Sequence, residues 1–365
     1  MNNAKCSLQI NLQTIKENYI ALRKLCIGSE VGAAVKANSY GLGASRIAPV
    51  LQESGCKHFF VATCEEGVDL RQTLRGDANI YVLNGVFQNE LEYFINHNLT
   101  PVLNNPEQVE IWQHYAARHG RRLPCFIHID TGMHRLGFSS AEASELELDL
   151  LRNNLDILCV MSHLASAEEV DNPFNKTQLE RFTQRSAKFG DIKRSLANSS
   201  GIFLGRDYHF NLARPGAALY GINPAPYLEN LTLKNPVKLS APIIQLRDLP
   251  PGESVGYNST HTNRRGDSCS IATIAIGYAD GLHRALSNKG VLYINGFEAP
   301  IIGRVSMDLT AIDLSNIPKN DVFLGQMVEV IGENSSPDEL AKFCGTNGYE
   351  ILATLGKRFK KIYTG

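Results

Sequence analysis

Eight short apolar segments alternate with amphipathic stretches between residues 32 and 214, and this rhythm constrains the fold more than any other feature. Apolar runs separated by helical periodicity are typical of buried parallel strands in βαβ units. No GxGxxG motif follows the first run, which argues against a dinucleotide-binding domain. The chain therefore predicts an α/β domain, a TIM-like (β/α)8 barrel. The eight predicted strands are Gly32–Lys36, Phe59–Thr63, Ile80–Leu83, Thr100–Leu103, Cys125–Asp130, Leu158–Ser162, Ser195–Ser199 and Phe210–Arg214.

The pattern changes after about residue 235, where helical periodicity gives way to β-rich segments separated by turn signals such as Asn295-Gly. These segments predict a mainly antiparallel β-domain. We expect a barrel domain over residues 1–232 and a β-domain over residues 233–365, with the first few residues available to pair with the second domain. The β-rich segments are Val237–Leu246, Cys269–Ile276, Val291–Ile294, Ala311–Leu314 and Met327–Ile331.

The charge balance excludes several classes of partner. The chain has 36 Lys and Arg residues against 37 Asp and Glu residues, a formal net charge of −1. Without a basic excess it lacks the electrostatic footprint of a protein that binds nucleic acid or an anionic membrane. The longest apolar runs, such as Ile271–Ile276, are far shorter than the roughly 18 residues that a bilayer span requires. We therefore expect no nucleic-acid or membrane partner.

The N-terminus and the cysteines indicate the compartment. The first five residues, Met-Asn-Asn-Ala-Lys, lack the basic-then-apolar order of a secretory signal. The eight cysteines form no CxxC pair and no His/Cys metal spacing. They are therefore expected to be buried, reduced thiols rather than disulfides or metal ligands. The expectation is a cytoplasmic protein without a metal site.

Reactive side chains gather at the C-terminal ends of the predicted strands. Active sites of (β/α)8 barrels lie at that face, so the pattern predicts an enzyme site there. A purely structural protein does not require such an arrangement. The residues at or just beyond the strand ends are Lys36, Arg135, His163, Asn198, Ser199 and Arg214.

Lys36 is the most informative of these residues because it ends a continuous apolar run. Burial of an ammonium group is costly, so such a lysine is paired, reaches solvent at the strand end, or is neutral and reactive. A Schiff base with an aldehyde cofactor is the obvious use of a desolvated lysine at a barrel mouth. Tyr40, in a glycine-flanked loop, could donate its hydroxyl to a phosphate.

The segment Arg214-Pro-Gly predicts an anion site after the last strand. Backbone N–H groups of Gly216 and Ala217 would open a helix and hold a phosphate there. Ser199, on the neighbouring strand, could add a hydroxyl. Taken alone, however, the same three residues also serve as a plain turn.

Eight motifs occur in order across nearly the whole chain: AVKANSYGLG at 34–43, DTGMHRLGF at 130–138, SHLASAEE at 162–169, ANSSG at 197–201, ARPGAALYG at 213–221, VGYNSTHT at 255–262, IGYADG at 276–281 and GRVSMDL at 303–309. Together they resemble the alanine racemase family. Members of this family are pyridoxal 5′-phosphate (PLP) enzymes built from a barrel and a β-domain. The resemblance implies an isomerase that interconverts L- and D-alanine and supplies D-alanine for peptidoglycan.

The resemblance implies two catalytic bases. Lys36 would bind the cofactor and then serve as the base on one face of the substrate α-carbon, with Tyr257 as the base on the other. Racemisation removes a proton from one side and returns it on the other, so two groups flanking one carbon are the simplest geometry. In the family this tyrosine comes from the partner subunit. An obligate homodimer with a composite active site is therefore implied.

The resemblance also assigns residues around the cofactor and the substrate. Arg214 would face the pyridine nitrogen, and because a guanidinium does not give up its proton, that nitrogen would stay largely unprotonated. His163 would bridge Tyr257 and Arg214, although a core histidine satisfied by backbone groups is the alternative. Further implied contacts involve Tyr40, Asn198, Ser199, Gly216 and Ala217 with the cofactor, Arg135 and Met307 with the substrate carboxylate, and Tyr278, Arg304 and Asp308 at the substrate entrance.

Two positions depart from the family pattern. Many members have a lysine, often carbamylated, seven residues before the substrate-orienting arginine, whereas this chain has His128. Our hypothesis is that His128, alone or with an anion such as chloride, positions Arg135. Near the C-terminus, Lys357 occupies the place of a phosphate-contacting tyrosine, and no role is assigned to it.

Three alternative functions stay open at this point. One is a PLP-dependent racemase acting on serine or on several amino acids, although broad-specificity racemases are typically exported. A second is an amino-acid decarboxylase, which Arg214 disfavours because decarboxylases generally place an acidic residue opposite the ring nitrogen. The third is a non-catalytic PLP carrier formed by a lone barrel, which would need neither Tyr257 nor a β-domain.

Overall fold

The computed structural model describes residues 6–228 and 233–365 and separates into two compact units. The first, here called the barrel unit, is Ile15–Lys234. The second, here called the β unit, combines Met1–Thr14 with Asn235–Gly365. The expected boundary at 232/233 falls beside residues 229–232, which lie outside the described residues.

The barrel unit carries eight strand positions in parallel order, which confirms the predicted (β/α)8 architecture. Leu212–Ala213 pairs in parallel with Glu30–Val31. Gly32 N–H donates to Ala213 O and Arg214 N–H donates to Ala197 O, both at 2.9 Å, so the last strand contacts both of its neighbours. The other seven strands form one sheet in chain order: Ala33–Ala34, His58–Val61, Asn79–Val82, Leu99–Leu103, Leu123–His128, Leu155–Met161 and Lys193–Ser195.

Side chains from successive strands fill the centre of the barrel unit. Three aromatic rings contact one another there: the ring centroids of Phe60 and Tyr81 are 4.9 Å apart, and those of Tyr81 and Phe126 are 4.2 Å apart. A filled interior is typical of this barrel class and leaves polar chemistry to the strand ends. The buried cluster comprises Ala34, Phe60, Tyr81, Val102, Phe126, Cys159, Met161 and Leu212.

Polar caps set the starts of several helices that cover the barrel. Side chains of Thr63, Asn105, Ser139 and Asn172 each accept a backbone N–H from the first turn of the helix that follows. Such caps satisfy amide groups that have no partner within the helix. The α-helices from the first to the last strand are Leu12–Leu25, Ala44–Glu53, Cys64–Arg71, Leu91–Asn96, Pro106–Arg118, Ser140–Glu145, Leu148–Asn154 and Pro173–Ser186.

The β unit is a mainly antiparallel sheet that closes on itself, as the sequence predicts. Its long strand Val237–Leu249 pairs with Ser7–Asn11, with Met327–Ile331 and with Cys269–Ile274. The pairing with Cys269–Ile274 contains a register shift between Ile243 and Gln245. Such a shift is typical of a bent strand, and the pairing with the end strand Cys269–Ile274 closes the sheet. The remaining strands are Ser254–Val255, His261–Thr262, Val291–Ile294, Phe297–Ile302, Thr310–Asp313 and Lys360–Thr364, the last of which is parallel to Ser7–Asn11.

Two helices in the β unit, Pro337–Cys344 and Gly348–Ala353, correct the expectation that helical structure ends near residue 235. Each spans about two turns or fewer, too short for a clear apolar period. Their start signals are nevertheless present: Ser336 and Glu339 form a reciprocal capping box, and Asn347 caps the second helix. Among the described residues, no helix has the length and apolarity needed to cross a bilayer.

Candidate active site

Lys36 lies two residues beyond Ala34, the last residue of the strand Ala33–Ala34, and so at the C-terminal end of that strand, as the sequence predicts. Its side chain is half-buried. Burial and the positive charge of Arg135 lower the pKa of the Lys36 amine, and the carboxylate of Glu66 partly opposes this fall. A lysine with a lowered pKa has a larger neutral fraction near pH 7, which makes it a nucleophile and a base.

The four residues after Lys36 form an unusual left-handed turn. Ala37, Asn38, Ser39 and Tyr40 have φ values of 51°, 54°, 54° and 55°. For residues with a Cβ, this conformation costs roughly 1–2 kcal/mol each, so the surrounding structure must hold it in place. Ser39 N–H donates to Val35 O at 2.8 Å, which is one such restraint.

The left-handed turn accompanies a close approach between Tyr40 and Gly216. A Cβ on Gly216 would lie 2.5 Å from the Tyr40 hydroxyl oxygen and 3.1 Å from the Ala34 Cβ, so only glycine fits. Ser199 Oγ accepts N–H bonds from Gly216 at 2.9 Å and from Ala218 at 3.2 Å. Three predicted residues, Tyr40, Ser199 and Gly216, thus form one cradle of hydroxyl and backbone groups.

The segment after Gly216 differs in detail from the expected helix. Ala217–Tyr220 is a short 3-10 turn, and the Gly216 N–H already donates to Ser199. Burial raises the pKa of the Tyr40 phenol to about 12, so its hydroxyl stays protonated and can donate to an anion.

Arg214 is buried at the end of the last strand, with 5% of its surface exposed. Its guanidinium donates to Ser162 O at 2.6 Å and also to the Ser195 hydroxyl. Burial lowers its pKa to about 10, so the group remains charged near pH 7. Among the described residues it makes no ion pair, so a buried cation lies at the barrel mouth without a carboxylate.

His163 and Asn198 occupy neighbouring strand ends. Burial and the charges of Arg214 and Arg135 hold the pKa of His163 well below its ordinary value, so the imidazole is neutral. Asn198 has a local use: its Oδ1 accepts the Gly201 N–H at 2.9 Å, and its Nδ2 donates to Leu164 O at 3.4 Å. The structure thus gives Asn198 a role in shaping its own loop.

His128 lies on the barrel strand before Arg135 and is 8% exposed. Its Nδ1 is 2.8 Å from Asn104 Oδ1. Burial and the charge of Arg214 lower the pKa of His128 to about 3. Arg135 itself is exposed and, within the described part of the chain, makes no hydrogen bond or ion pair.

The remaining predicted residues belong to the β unit. Tyr257, Tyr278 and Arg304 line one cleft with a volume of about 360 Å³. Tyr257 is 68% exposed and follows Gly256, whose φ of 73° suits glycine. The structure therefore brings together three of the five predicted β-unit residues around one opening.

Met307 and Asp308 lie beside the Tyr278 loop. Tyr278 N–H donates to Ser306 O at 3.0 Å, and a Cβ on Gly277 would lie 2.5 Å from the Met307 carbonyl oxygen. Only a glycine at position 277 allows the two loops to approach so closely.

Arg358, which was not predicted from the sequence, links the Tyr278 loop to the Met307–Asp308 loop through two carboxylates. Its Nε and Nη2 donate to the Asp280 carboxylate at 2.7 and 2.8 Å, and its Nη1 donates to Asp308 at 2.7 Å. Glu66 and Asn104 were missed as well, since the site segments they contact, at Ala37 and His128, are 29 and 24 residues away. For Glu66 a local signal existed: Thr63 followed three residues later by Glu is a helix-start pattern.

The barrel-unit residues can hold a covalently bound carbonyl compound with an anionic group. Lys36 supplies the amine, the Tyr40–Ser199–Gly216 cradle suits the anion, and Arg214 supplies a buried donor. No cluster of three or more potential metal ligands occurs among the described residues.

Comparisons with known proteins cover both units. Residues 10–224 match the sequence model for the alanine racemase N-terminal domain, and residues 236–363 match that for the C-terminal domain. The alanine racemase of Rickettsia conorii (strain ATCC VR-613 / Malish 7) is 54% identical over 362 residues, which cover 99% of each chain.

Solved structures agree with the sequence matches. The crystal structure of alanine racemase from Bartonella henselae with covalently bound pyridoxal phosphate is 38% identical with a TM-score of 0.94, covering 98% of this chain and 99% of that chain. The biosynthetic alanine racemase of Pseudomonas aeruginosa is 33% identical with a TM-score of 0.89, covering 99% of both chains. This chain belongs to the alanine racemase family.

Proposed function

We propose that this protein is a PLP-dependent alanine racemase that interconverts L- and D-alanine with two bases. The chain is an amino-acid racemase, an isomerase, by family. One observation carries the mechanistic proposal. The half-buried Lys36, whose amine has a lowered pKa, lies at the same end of the barrel as the Tyr40–Ser199–Gly216 cradle, where only glycine fits at position 216.

The residues present fit PLP. The missing Cβ of Gly216 leaves space beside the Tyr40 hydroxyl. A phosphate there would compete with Ser199 Oγ for the Gly216 N–H. We assign phosphate contacts to Tyr40, Ser199, Gly216 and Ala217 and covalent attachment to Lys36. When bound, the cofactor supplies an aldehyde carbon and an electron-withdrawing ring, which make the α-proton of an amino acid acidic.

We propose that Arg214 faces the pyridine nitrogen of the cofactor and that Asn198 is one of the cofactor-binding residues. The Arg214 guanidinium keeps its proton at neutral pH, so it can donate a hydrogen bond but cannot receive a proton. It would therefore leave the ring nitrogen unprotonated, which weakens the ring as an electron sink and disfavours transamination. His163, held neutral by burial beside cations, is proposed to bridge Arg214 and Tyr257.

Lys36 and Tyr257 are the two proposed bases. Lys36 removes or returns the proton on one face of the α-carbon, and Tyr257 does so on the opposite face. We propose that Tyr257 comes from the partner subunit of a homodimer. Its exposed phenol supports this role, because a side chain that completes another subunit's site must lie at its own unit's surface.

Arg135 and the Met307 backbone are proposed to bind the substrate carboxylate. Tyr278, Arg304 and Asp308 are proposed to narrow the substrate entrance so that alanine is preferred.

His128, alone or with an anion such as chloride, is proposed to position Arg135. An anomalous-scattering map that shows neither an anion nor a contact between His128 and Arg135 would contradict this proposal.

We further propose a domain boundary at 232/233, with the first residues of the chain pairing into the β-domain. The strand pairing of Ser7–Asn11 with Val237–Leu249 supports this assignment.

We also propose that the enzyme works in the cytoplasm and supplies D-alanine for peptidoglycan. All eight cysteines are free thiols, six of them buried, which fits a reducing compartment.

The test incubates purified protein and PLP with L-alanine and measures D-alanine. Wild type is expected to form D-alanine, whereas Lys36→Ala is expected to lose both covalent cofactor binding and turnover. L-serine is tested in parallel, and faster conversion of serine than of alanine would favour the alternative racemase. Covalent PLP binding without conversion of either amino acid would identify a carrier instead.

A further inference from the structure

Glu66 has a carboxylate that joins two loops of the barrel unit. Its Oε1 accepts the Ala37 N–H at 2.6 Å, and its Oε2 accepts the Ala62 N–H at 2.8 Å. Ala37 directly follows Lys36, whereas Ala62 directly follows the strand His58–Val61. A single side chain therefore fixes the backbone beside the reactive lysine to the neighbouring strand end.

Helix capping alone does not explain this arrangement. Thr63 caps the helix Cys64–Arg71 by accepting the Glu66 N–H at 3.4 Å. A glutamate at this helix position commonly reaches back to amides just before the helix, and the bond to Ala62 is close to that local pattern. The bond to Ala37, 29 residues away, satisfies no group of the helix.

The bond to Ala37 acts at the start of the left-handed turn Ala37–Tyr40. Four successive residues with a Cβ are held there at positive φ, a conformation that such residues rarely adopt. Charge-assisted hydrogen bonds to backbone N–H groups are about twice as strong as neutral ones. Glu66 therefore restrains the first residue of a strained segment that carries Lys36 at one end and Tyr40 at the other.

Glu66 also balances the charges around the Lys36 amine. The titratable groups that interact with this amine are Arg135, Glu66 and the neutral His163. Burial and Arg135 lower the pKa of Lys36, whereas Glu66 raises it. Among these three groups, Glu66 supplies the negative charge.

We propose that Glu66 is a positioning residue for Lys36, which holds the main chain of the lysine through Ala37 and tunes the charge of its amine. This inference rests on the proposed function, because it concerns the reactivity of Lys36 toward the cofactor aldehyde.

The experiment measures how fast cofactor-free protein captures PLP at Lys36 as a function of pH. The adduct is fixed by borohydride reduction and quantified by mass spectrometry of the Lys36 peptide. Wild type, Glu66→Gln and Glu65→Gln are compared. Glu65 is an exposed neighbour on the same helix, and its substitution removes the same charge. The titration of PLP itself is common to all three proteins and cancels in the comparison.

For Glu66→Gln we expect two changes relative to wild type. Glutamine cannot accept both N–H bonds, so the plateau rate at high pH falls by about tenfold. Loss of the negative charge lowers the pKa of Lys36, so the midpoint of the rate profile moves to lower pH by roughly half to one unit. Glu65→Gln is expected to match wild type in both respects.

A Glu66→Gln profile identical to that of Glu65→Gln overturns the proposal. A lower plateau with an unmoved midpoint overturns it too, since a merely structural loss would produce that result. Should Glu66→Gln fail to fold, Glu66→Asp provides the test: it keeps the charge but shortens the reach, so the plateau falls while the midpoint stays. A moved midpoint in that variant contradicts the proposal. Failure of wild type to capture PLP at Lys36 would instead contradict the proposed function.

Discussion

His128 and Asn104 share a buried hydrogen bond whose direction can be assigned. The Asn104 Nδ2 donates to Leu83 O at 3.0 Å and to Val102 O at 2.9 Å, so its Oδ1 faces His128 as an acceptor. The His128 Nδ1, 2.8 Å away, must then carry the proton. In the neutral ring this leaves Nε2 as a hydrogen-bond acceptor, which suits the proposed role of orienting a guanidinium.

The lowered pKa of His128 predicts a loss of stability in acid. Its pKa is about 3 in the folded protein against about 6.5 in an unfolded chain, so between these values the unfolded state binds the extra proton. The free energy of unfolding therefore falls as pH decreases from 6.5 toward 3, by up to about 1.4 kcal/mol per pH unit for one group. His163 shifts in the same direction and adds to the slope.

Chemical denaturation of His128→Asn between pH 4 and 6.5 checks this prediction. The variant should show a shallower pH dependence than wild type. His114→Asn, at an exposed helix position, is the control and should keep the wild-type slope. Equal slopes for wild type and His128→Asn would show that His128 does not account for the acid sensitivity.

Gly216→Ala is predicted to weaken PLP binding. The added Cβ would lie 2.5 Å from the Tyr40 hydroxyl oxygen. Either Tyr40 or the backbone at Gly216 must therefore move away, or the methyl group occupies the space proposed for the phosphate. The dissociation constant for PLP, measured by absorbance titration, should rise by at least about tenfold, the equivalent of roughly 1.4 kcal/mol. Gly76→Ala is the matched control because a Cβ there meets nothing within 4 Å. Unchanged affinity in Gly216→Ala would rule out the cradle as the phosphate site.

Arg358→Ala is predicted to destabilise the β unit. It leaves the Asp280 carboxylate, whose side chain is 7% exposed, without its cation and releases Asp308. A buried carboxylate that loses its ion pair is destabilising. The midpoint of thermal unfolding should therefore fall relative to wild type and to Arg264→Ala, which removes an exposed arginine. Arg358→Lys should be intermediate, because an ammonium cannot reproduce the bidentate contact. Identical midpoints for Arg358→Ala and Arg264→Ala would refute this assignment.

Mixing two inactive variants tests the composite site. If Lys36 and Tyr257 of one site come from different subunits, a dimer of one Lys36→Ala and one Tyr257→Phe subunit has one intact site. Random exchange of equal amounts should restore about a quarter of wild-type activity, since half of the dimers are mixed and each has one working site of two. No recovery despite demonstrated subunit exchange would place both residues in the same subunit.

The sequence predicted the barrel and the strand-end residues because both depend on local patterns. Lys36 and Arg214 could be found from the position of a charge at the end of an apolar run. The left-handed turn after Lys36 could not, since three of its four residues, Ala37, Ser39 and Tyr40, are types that rarely adopt positive φ. Glu66 and Arg358 were not predicted. Glu66 contacts Ala37, 29 residues away, and Arg358 contacts Asp308 and Asp280, 50 and 78 residues away. Such contacts depend on the tertiary fold rather than on spacing in the chain.

Deuterium exchange at the α-carbon tests the two-base account most directly. Tyr257→Phe, loaded with PLP, is incubated in D2O separately with L-alanine and with D-alanine, and both deuterium incorporation and inversion are followed by NMR on a chiral derivative. The account predicts that this variant exchanges the α-proton of one enantiomer only, through Lys36, and inverts neither at an appreciable rate. Inversion of L-alanine at the wild-type rate by Tyr257→Phe would contradict it.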